Sequence, residues 1–277
     1  MEKTIQQLIS AERAIDDGDM VLRRALPQPG RDNVGPFVFV DHYRHQSRRG
    51  IGDRPHPHAG IEVISYLFEG GVEHRDSMGF HDRLQAGDAQ HIRSGRGMLH
   101  AEQPLGGRHG LQLWLVLPPE LADTAPQYLK IEAAAIPHFA QDGVSGEVVA
   151  GHVNGHDGPM QLSGGGVFAN ARLDAGATAR LQVPAAKELA VYVADGEISV
   201  GGQALPTGTL ALLGTGDEVV LSATAAQGAQ VALIGGDPLS QALHFAGPFV
   251  AASQDRLARM YSDYRSGKMG TLEGVPF

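Results

Sequence analysis

The stretch RPHPHAGIEVISYLFEGG, residues 54–71, joins two histidines to a strand-like apolar run that ends at two glycines. His56 and His58 are one residue apart, so on a strand both imidazoles point to the same face, about 6.6 Å from each other. Two imidazoles that converge can bind one metal ion. A single pair of this kind also occurs as a hydrogen-bonded polar pair in a sheet, so a metal site requires further ligands elsewhere in the chain.

Strand-like segments recur along the whole chain. They are rich in Val, Ile, Leu and aromatic residues and are bounded by Gly, Asp or Pro, which is the pattern of short strands between turns. The sequences ADGE and GTGD are hairpin-type turns, because glycine tolerates the positive φ that such turns need. The strand-like segments are 36–42, 62–70, 109–119, 188–202, 209–223 and 229–236.

The clearest helical pattern is SQDRLARMYSDYRSG, residues 253–267. Its apolar residues recur at i, i+3, i+4 and i+7, while Ser253 can cap the first turn and Gly267 can end the last. The pattern predicts a helix that packs on the surface of a sheet. The apolar positions are Leu257, Met260, Tyr261 and Tyr264.

Many short strands with even turn spacing are typical of sandwiches and barrels. The chain also has two similar halves, and QAGDAQHIRSG (85–95) has a faint counterpart in PTGTLALLGTG (206–216). We therefore predict an all-β protein with two barrels in one chain and a C-terminal helix. The expected domains are 1–120 with the N-terminal, metal-binding barrel, 121–160 as a connecting segment, and 161–277 with a C-terminal barrel that lacks metal ligands and ends in the helix.

The chain of 277 residues has no cysteine, which excludes disulfides, thiolate ligands and a cysteine nucleophile. No segment reaches about 18 apolar residues, so we expect neither a signal peptide nor a membrane span, and a cytoplasmic location. The net charge of −9 disfavours direct binding to nucleic acid. Arginines cluster at Arg48-Arg49 and at Arg93 and Arg96. We interpret them as solvated charges or ion-pair partners, with a phosphate-binding patch as the less favoured alternative.

Histidines are concentrated in the first half of the chain. Nine of the 13 lie between residues 42 and 109, and only three lie beyond residue 140. Metal chemistry is therefore expected in the first half, whereas the second half has strands and turns but few possible ligands. The nine are His42, His45, His56, His58, His74, His81, His91, His100 and His109.

His100 and Glu102, in GRGMLHAEQP (95–104), repeat the one-residue spacing of the first pair. Two such pairs on neighbouring strands provide four ligands and leave two positions of an octahedral metal for water, substrate or dioxygen. Imidazole and carboxylate ligands without sulfur suit Fe(II), Mn, Ni or Zn. The second pair thus favours the metal interpretation of the first.

Glu62 is another candidate carboxylate. It lies four residues beyond His58, about 13 Å away on a straight strand, and can join the site only if the chain bends at Gly60. Glu102 shares a face with His100 and needs no bend. The spacing favours Glu102 as the carboxylate ligand and leaves Glu62 as an alternative.

Five long segments of the chain are informative when they are considered together. They are RALPQPGRDNVGPFVFVDH (24–42), PHPHAGIEVISYLFEGGVEHRDSMG (55–79), GDAQHIRSGRGMLHAEQP (87–104), GLQLWLVLPP (110–119) and GDPLSQALHFAGPFVAASQDRLARMYSDYRSGKMG (236–270). This set resembles the signatures of the pirin family, a branch of the cupins, over most of the chain except 120–185. The resemblance implies two cupin barrels (double-stranded β-helix, or jelly-roll, barrels) with a metal only in the N-terminal one. The ligands that it implies are His56, His58, His100 and Glu102.

The same resemblance implies an activity. Bacterial pirin-like proteins include quercetin 2,3-dioxygenases, so the leading expectation is an enzyme that opens a flavonol ring with O2. A small aromatic substrate would then meet a divalent metal, expected to be Fe(II), with Mn, Ni, Co or Zn as alternatives. Glu102 would act as the general base, and Glu62 would orient a ligand imidazole. The alternatives are a different metal-dependent enzyme and a metal-dependent regulatory protein that binds a transcription factor or an enzyme.

One segment departs from the family pattern. Where pirins commonly read Gln-Trp-Met-Thr, this chain has Gln90-His91-Ile92-Arg93. His91 is either an additional polar group of the metal pocket or an outward, hydrogen-bonded side chain. The departure concerns the identity of the substrate and leaves the expected metal ligands unchanged.

Overall fold

The structure is a computed structural model that describes residues 1–46, 51–224 and 226–275. Strands dominate these residues, and the one α-helix among them lies near the C-terminus. The all-β class with a C-terminal helix is therefore confirmed. The strands of the first half are β1 (Ile5–Ser10), β2 (Glu12–Asp16), β3 (Met20–Leu26), β4 (Phe37–His45), β5 (His56–His58), β6 (Ile61–Asp76), β7 (His81–Gln85), β8 (Ala89–Arg93), β9 (Met98–Val116) and β10 (Gln127–Ile131).

The second half continues with shorter strands and the helix. These elements are β11 (His138–Gln141), β12 (Val144–Ala150), β13 (His152–Val153), β14 (His156–Asp157), β15 (Val167–Leu173), β16 (Thr178–Gln182), β17 (Glu188–Asp195), β18 (Glu197–Val200), β19 (Gln203–Pro206), β20 (Thr209–Leu213), β21 (Glu218–Ala223), β22 (Ala229–Gly236), β23 (His244–Ala246), β24 (Phe249–Ala251) and α1 (Gln254–Arg265).

One compact unit consists of Met1–Glu12, Arg23–Phe37 and Ala134–Leu239. Its seven-stranded sheet has the order β1-β20-β17-β22-β15-β12-β11, and a four-stranded sheet has the order β16-β21-β18-β19. Alternate apolar residues of both sheets turn inward and form a common core, as the two-residue period of a strand requires.

The other compact unit consists of Arg13–Leu22, Val38–Ala133 and the chain from Ser240 onward. Its nine-stranded sheet has the order β10-β8-β6-β9-β4-β3-β2, with β5 paired to β9 and β7 paired to β6. All nine clustered histidines belong to this unit.

Both units are discontinuous in sequence. Ile5 of β1 pairs with Leu213 of β20, which places the N-terminal strand in the unit that contains most of the second half. The predicted division into 1–120, 121–160 and 161–277 stays a prediction, and the compact units do not coincide with it.

β6 is longer than its sequence indicated. The two glycines at 70–71 were expected to end the strand, but it continues to Asp76. Gly70 has φ +79°, and a Cβ there would lie 2.1 Å from the carbonyl oxygen of Gly107. The register against β9 shifts between Gly70 and Val72. The glycine therefore allows a bulge with a close backbone approach instead of a turn.

The helix forms where the sequence predicts it. The Ser253 hydroxyl accepts a hydrogen bond from the backbone N–H three residues later, and this bond caps the first turn. Leu257 and Met260 are buried against Phe249 of β24. Tyr264, at 40% exposure, lies at the edge of this contact.

Candidate metal centre

Three histidines converge because two strands pair. β5 runs antiparallel to β9 with His56 directly opposite His100, and His58 lies two residues along the same strand. The ring centroids are 4.3 Å apart for His56 and His100, 4.9 Å for His58 and His100, and 5.0 Å for His56 and His58. Each imidazole offers a nitrogen within 4.8 Å of the others, so one metal ion fits among them.

The protonation states suit a metal. Burial lowers the pKa of both His58 and His100 well below the usual value, and the neighbouring imidazoles lower it further. Nδ1 of His56 lies 2.9 Å from the carbonyl oxygen of Arg54, which fixes the proton on that nitrogen and leaves Nε2 as an acceptor. Neutral imidazoles with available lone pairs are the form that binds metals.

The environment of His100 indicates that a group from outside the protein chain can bind here. It is fully buried, and neither of its ring nitrogens has a hydrogen-bond partner among the described residues. Buried polar atoms of this kind are uncommon in proteins because each one loses its hydration without compensation. A metal ion would satisfy one of these nitrogens, so the residues present fit such a group.

Glu102 lies beside His100, one of the three imidazoles. Its Oε1 is 3.9 Å from Nδ1 of His100 and accepts hydrogen bonds from Ser65 and Gln90. Its Oε2 accepts a hydrogen bond from Nη1 of Arg108 at 2.9 Å. Burial raises the pKa of Glu102, but the Arg108 guanidinium and the imidazoles of His74 and His56 together outweigh burial and hold this pKa below its usual value. The carboxylate is therefore ionised and anchored at both oxygens.

His74 is a neighbour that the sequence reasoning missed. It is paired across β6 and β9 directly opposite Glu102, and these two residues with His100 form a second group of possible ligands. Nε2 of His74 lies 3.3 Å from a carboxylate oxygen of Asp76, and its ring stacks on Tyr128 with centroids 4.5 Å apart. The only sequence signal was its place in the histidine-rich half.

An aromatic pair forms one side of the centre. Trp114 meets the ring of His58 edge-on, with centroids 5.0 Å apart. Phe39 stacks on Trp114 with centroids 4.0 Å apart and planes 12° from parallel. These two rings are stacked on each other and almost buried, so they form an apolar wall next to a candidate ligand.

Glu62 is placed on the opposite face of β6. Ser65, which contacts Glu102, is three residues further along this strand, and side chains an odd number of residues apart point to opposite faces. The chain does turn at Gly60, with φ +75°. Glu62 is nonetheless directed to Arg93, whose Nε donates to its Oε1 at 3.0 Å. The expectation that Glu62 orients a ligand imidazole receives no support from this arrangement.

His91 and Arg93 lie on that same far face. Nε2 of His91 is 3.5 Å from Oε1 of Glu62, while the neighbouring Gln90 points to Glu102. The replacements relative to the usual pirin segment thus surround a buried carboxylate. A role for His91 in the metal pocket receives no support from this placement.

The interpretation of the arginines as paired or solvated charges can be checked for only one of the two clusters. Arg93 is an ion-pair partner of Glu62, and Arg96 is exposed, as the interpretation as paired or solvated charges predicts. Arg48 and Arg49 lie outside the described residues. No helix in the part of the chain that the structure describes is both long and apolar enough to cross a membrane. The cytoplasmic location stays a prediction.

Comparison with known sequences decides the family. The sequence model of the Pirin family matches residues 19–115, and that of the Pirin C-terminal cupin domain matches residues 168–270. The chain belongs to the pirin family. Pirin from Mus musculus is 32% identical to it over 281 residues, which cover 99% of this chain and 96% of the mouse protein.

Solved structures agree with this assignment. Quercetin 2,3-dioxygenase from Acinetobacter baumannii has a TM-score of 0.87 and 26% identity, with 98% of this chain and 99% of that chain covered. A bacterial pirin from Escherichia coli in complex with nickel(II) has a TM-score of 0.65 and 21% identity, covering 84% of this chain and 99% of that chain, and thus shares the fold. The predicted cupin fold in two parts is confirmed.

Proposed function

We propose that this pirin is a metal-dependent dioxygenase that cleaves flavonol-type substrates such as quercetin with O2. The observation that carries the proposal is the group of three converging imidazoles, with the carboxylate of Glu102 beside His100 and an apolar wall of two aromatic rings beside His58. The similarity to a quercetin 2,3-dioxygenase supports the choice of substrate.

The metal would be held by His56, His58 and His100, with Glu102 as the proposed fourth ligand. Fe(II) is the proposed metal, and Mn, Ni, Co and Zn are alternatives, since imidazole and carboxylate ligands suit all of them. The nickel(II) bound to the Escherichia coli pirin supports a divalent ion. When bound, such an ion supplies a Lewis acid that lowers the pKa of a hydroxyl group beside it.

The protein side chains bind the substrate and accept its proton. The stacked pair of Trp114 and Phe39 would form an apolar wall beside the flat ring system of a flavonol and exclude water from that side. Glu102 would accept the proton of the 3-hydroxyl, because Arg108 and the neighbouring imidazoles hold the pKa of this carboxylate below its usual value. Ser65 and Gln90 fix the orientation of the accepting oxygen.

The activity is tested by mixing anaerobic, Fe(II)-loaded protein with quercetin and then admitting oxygen. We expect the flavonol absorbance to disappear with multiple turnovers and with oxygen consumption. Metal-free protein and free Fe(II) at the same concentration are the controls, and H58A tests dependence on the site. Loss of absorbance no faster than with free Fe(II) would exclude the proposed reaction.

A further inference from the structure

We propose that Arg108 competes with the metal for Glu102, so that this pirin binds its metal more weakly than its ligand set alone would allow. The inference rests on the metal-binding part of the proposed function and is independent of the flavonol reaction. Arg108 would then be a positioning residue that adjusts how readily the centre gains and loses its ion.

The contact between these two residues depends on a bend in β9. Glu102 and Arg108 are six residues apart on one strand, a separation of about 20 Å if the strand were straight. Gly106 and Gly107 lie between them with φ +104° and +127°, values that glycine tolerates and that other residues rarely adopt. The bend returns the guanidinium to the carboxylate, and Nη1 reaches Oε2 at 2.9 Å.

The pair is shielded from water. The side chain of Arg108 is 3% exposed and that of Glu102 is 4% exposed. Nη2 of Arg108 donates to the carbonyl oxygen of Ile51 at 3.0 Å, and the guanidinium lies 4.5 Å from the centroid of the Tyr43 ring. Its Nε has no hydrogen-bond partner among the described residues. Arg108 is therefore held by Glu102, the Ile51 carbonyl and the Tyr43 ring, Glu102 is its only anionic partner among these, and water screens its charge only weakly.

This geometry puts two cations next to one carboxylate. Glu102 contacts Arg108 through Oε2 and approaches His100 through Oε1, so a metal at the three imidazoles would share it with the guanidinium. Each positive charge reduces the attraction of the carboxylate for the other, and this competition exceeds the direct repulsion between two cations held at different oxygens of the carboxylate. In the absence of metal, the same guanidinium neutralises a buried carboxylate and stabilises the fold.

The test measures Co(II) affinity by competition with a chromogenic chelator, together with thermal unfolding of the metal-free protein. We expect R108Q to bind Co(II) about tenfold more tightly or better, because Glu102 then no longer shares its charge with a guanidinium. Metal-free R108Q should unfold at a lower temperature than the metal-free wild type, because Glu102 is left buried without its counter-ion. The two changes have opposite signs, so general damage to the fold cannot produce both.

A double-mutant cycle assigns the effect to Glu102. In an E102Q background, the R108Q substitution should lose most of its gain in Co(II) affinity. R83Q is the matched control, because Arg83 also pairs with a glutamate, Glu73, but its side chain is 69% exposed. It should change neither quantity. If R108Q does not fold, R108K is measured instead and should show a smaller gain, since it keeps the charge but loses the forked geometry.

Unchanged or weaker Co(II) binding by the folded Arg108 variant would overturn the inference, as would a gain that persists in full with E102Q. Failure of the wild type to bind Co(II) at all would reject the metal centre itself, and the inference with it. Tight Co(II) binding without flavonol cleavage would reject only the proposed reaction.

Discussion

Replacing Glu102 by alanine should damage both the metal centre and the metal-free fold. E102A leaves the guanidinium of Arg108, which is 3% exposed, without its counter-ion. Breaking a buried ion pair from one side costs about 3–5 kcal/mol, which corresponds to a fall of roughly 10 °C in the unfolding temperature of a chain of this size. E102A also removes the proposed fourth ligand, so the metal affinity should fall by about tenfold or more.

Glu62 provides the matched comparison, because it is also buried and also bound to an arginine. Arg93 is 22% exposed, so after E62A its guanidinium can be hydrated, and the loss of stability should be about 1–2 kcal/mol. Glu62 points away from the imidazoles, and E62A should therefore keep its metal. Elemental analysis after loading and desalting measures the metal, and thermal unfolding measures stability. Greater loss of metal in E62A than in E102A would refute the assignment of the two carboxylates.

Three further predictions concern backbone, core and pH. G70A should lower the free energy of unfolding by more than about 3 kcal/mol, because its Cβ would lie 2.1 Å from a carbonyl oxygen. G79A, with φ +95° and open space around the Cβ, should lower it by about 1 kcal/mol. Urea unfolding compares the two variants, and equal losses would contradict the steric reason. L257A should cost about 2–4 kcal/mol in the same assay, because the side chain is 3% exposed against β24, and a loss below 1 kcal/mol would mean that the helix is not firmly packed. Finally, the pKa values of His58 and His100 are lowered in the folded protein. Unfolding therefore takes up protons at pH values below 6.5, the ordinary pKa of histidine. The metal-free protein should thus lose stability as the pH falls from 7 to 5, and a flat pH profile would mean that these histidines are not buried as neutral groups.

The parts of the fold that local patterns determine were predictable. The predicted strand 229–236 coincides with β22, and Ser253 caps a helix whose buried face carries Leu257 and Met260. Each of these features depends on side chains a few residues apart in sequence. The pairing of β1 with β20 joins residues about 200 positions apart, and the sequence of β1 carries no signal of its distant partner.

The candidate centre shows the same division between local and distant information. The one-residue spacing of His56 and His58 determines that they share a face, and the same spacing aligns His100 with Glu102. Alternation also requires Glu62 and Ser65 to face opposite ways, but the sequence does not say which of these faces carries the imidazoles. That choice depends on the contacts of Ser65 with Gln90 and Glu102, which only the assembled sheet reveals.

Arg108 required the structure because its position follows from a backbone bend and not from a side-chain pattern. On a straight strand it lies far from Glu102, and the glycines at 106 and 107 read equally well as an ordinary turn. In the structure both glycines have positive φ, and the strand bends there instead of ending. The bend places the guanidinium of Arg108 against the candidate fourth ligand. A ligand motif therefore predicts which groups can bind a metal, whereas the proposed control of affinity rests on a charge that the motif does not contain. For this reason, metal affinity in this chain should respond to the 106–108 segment as strongly as to the carboxylate itself.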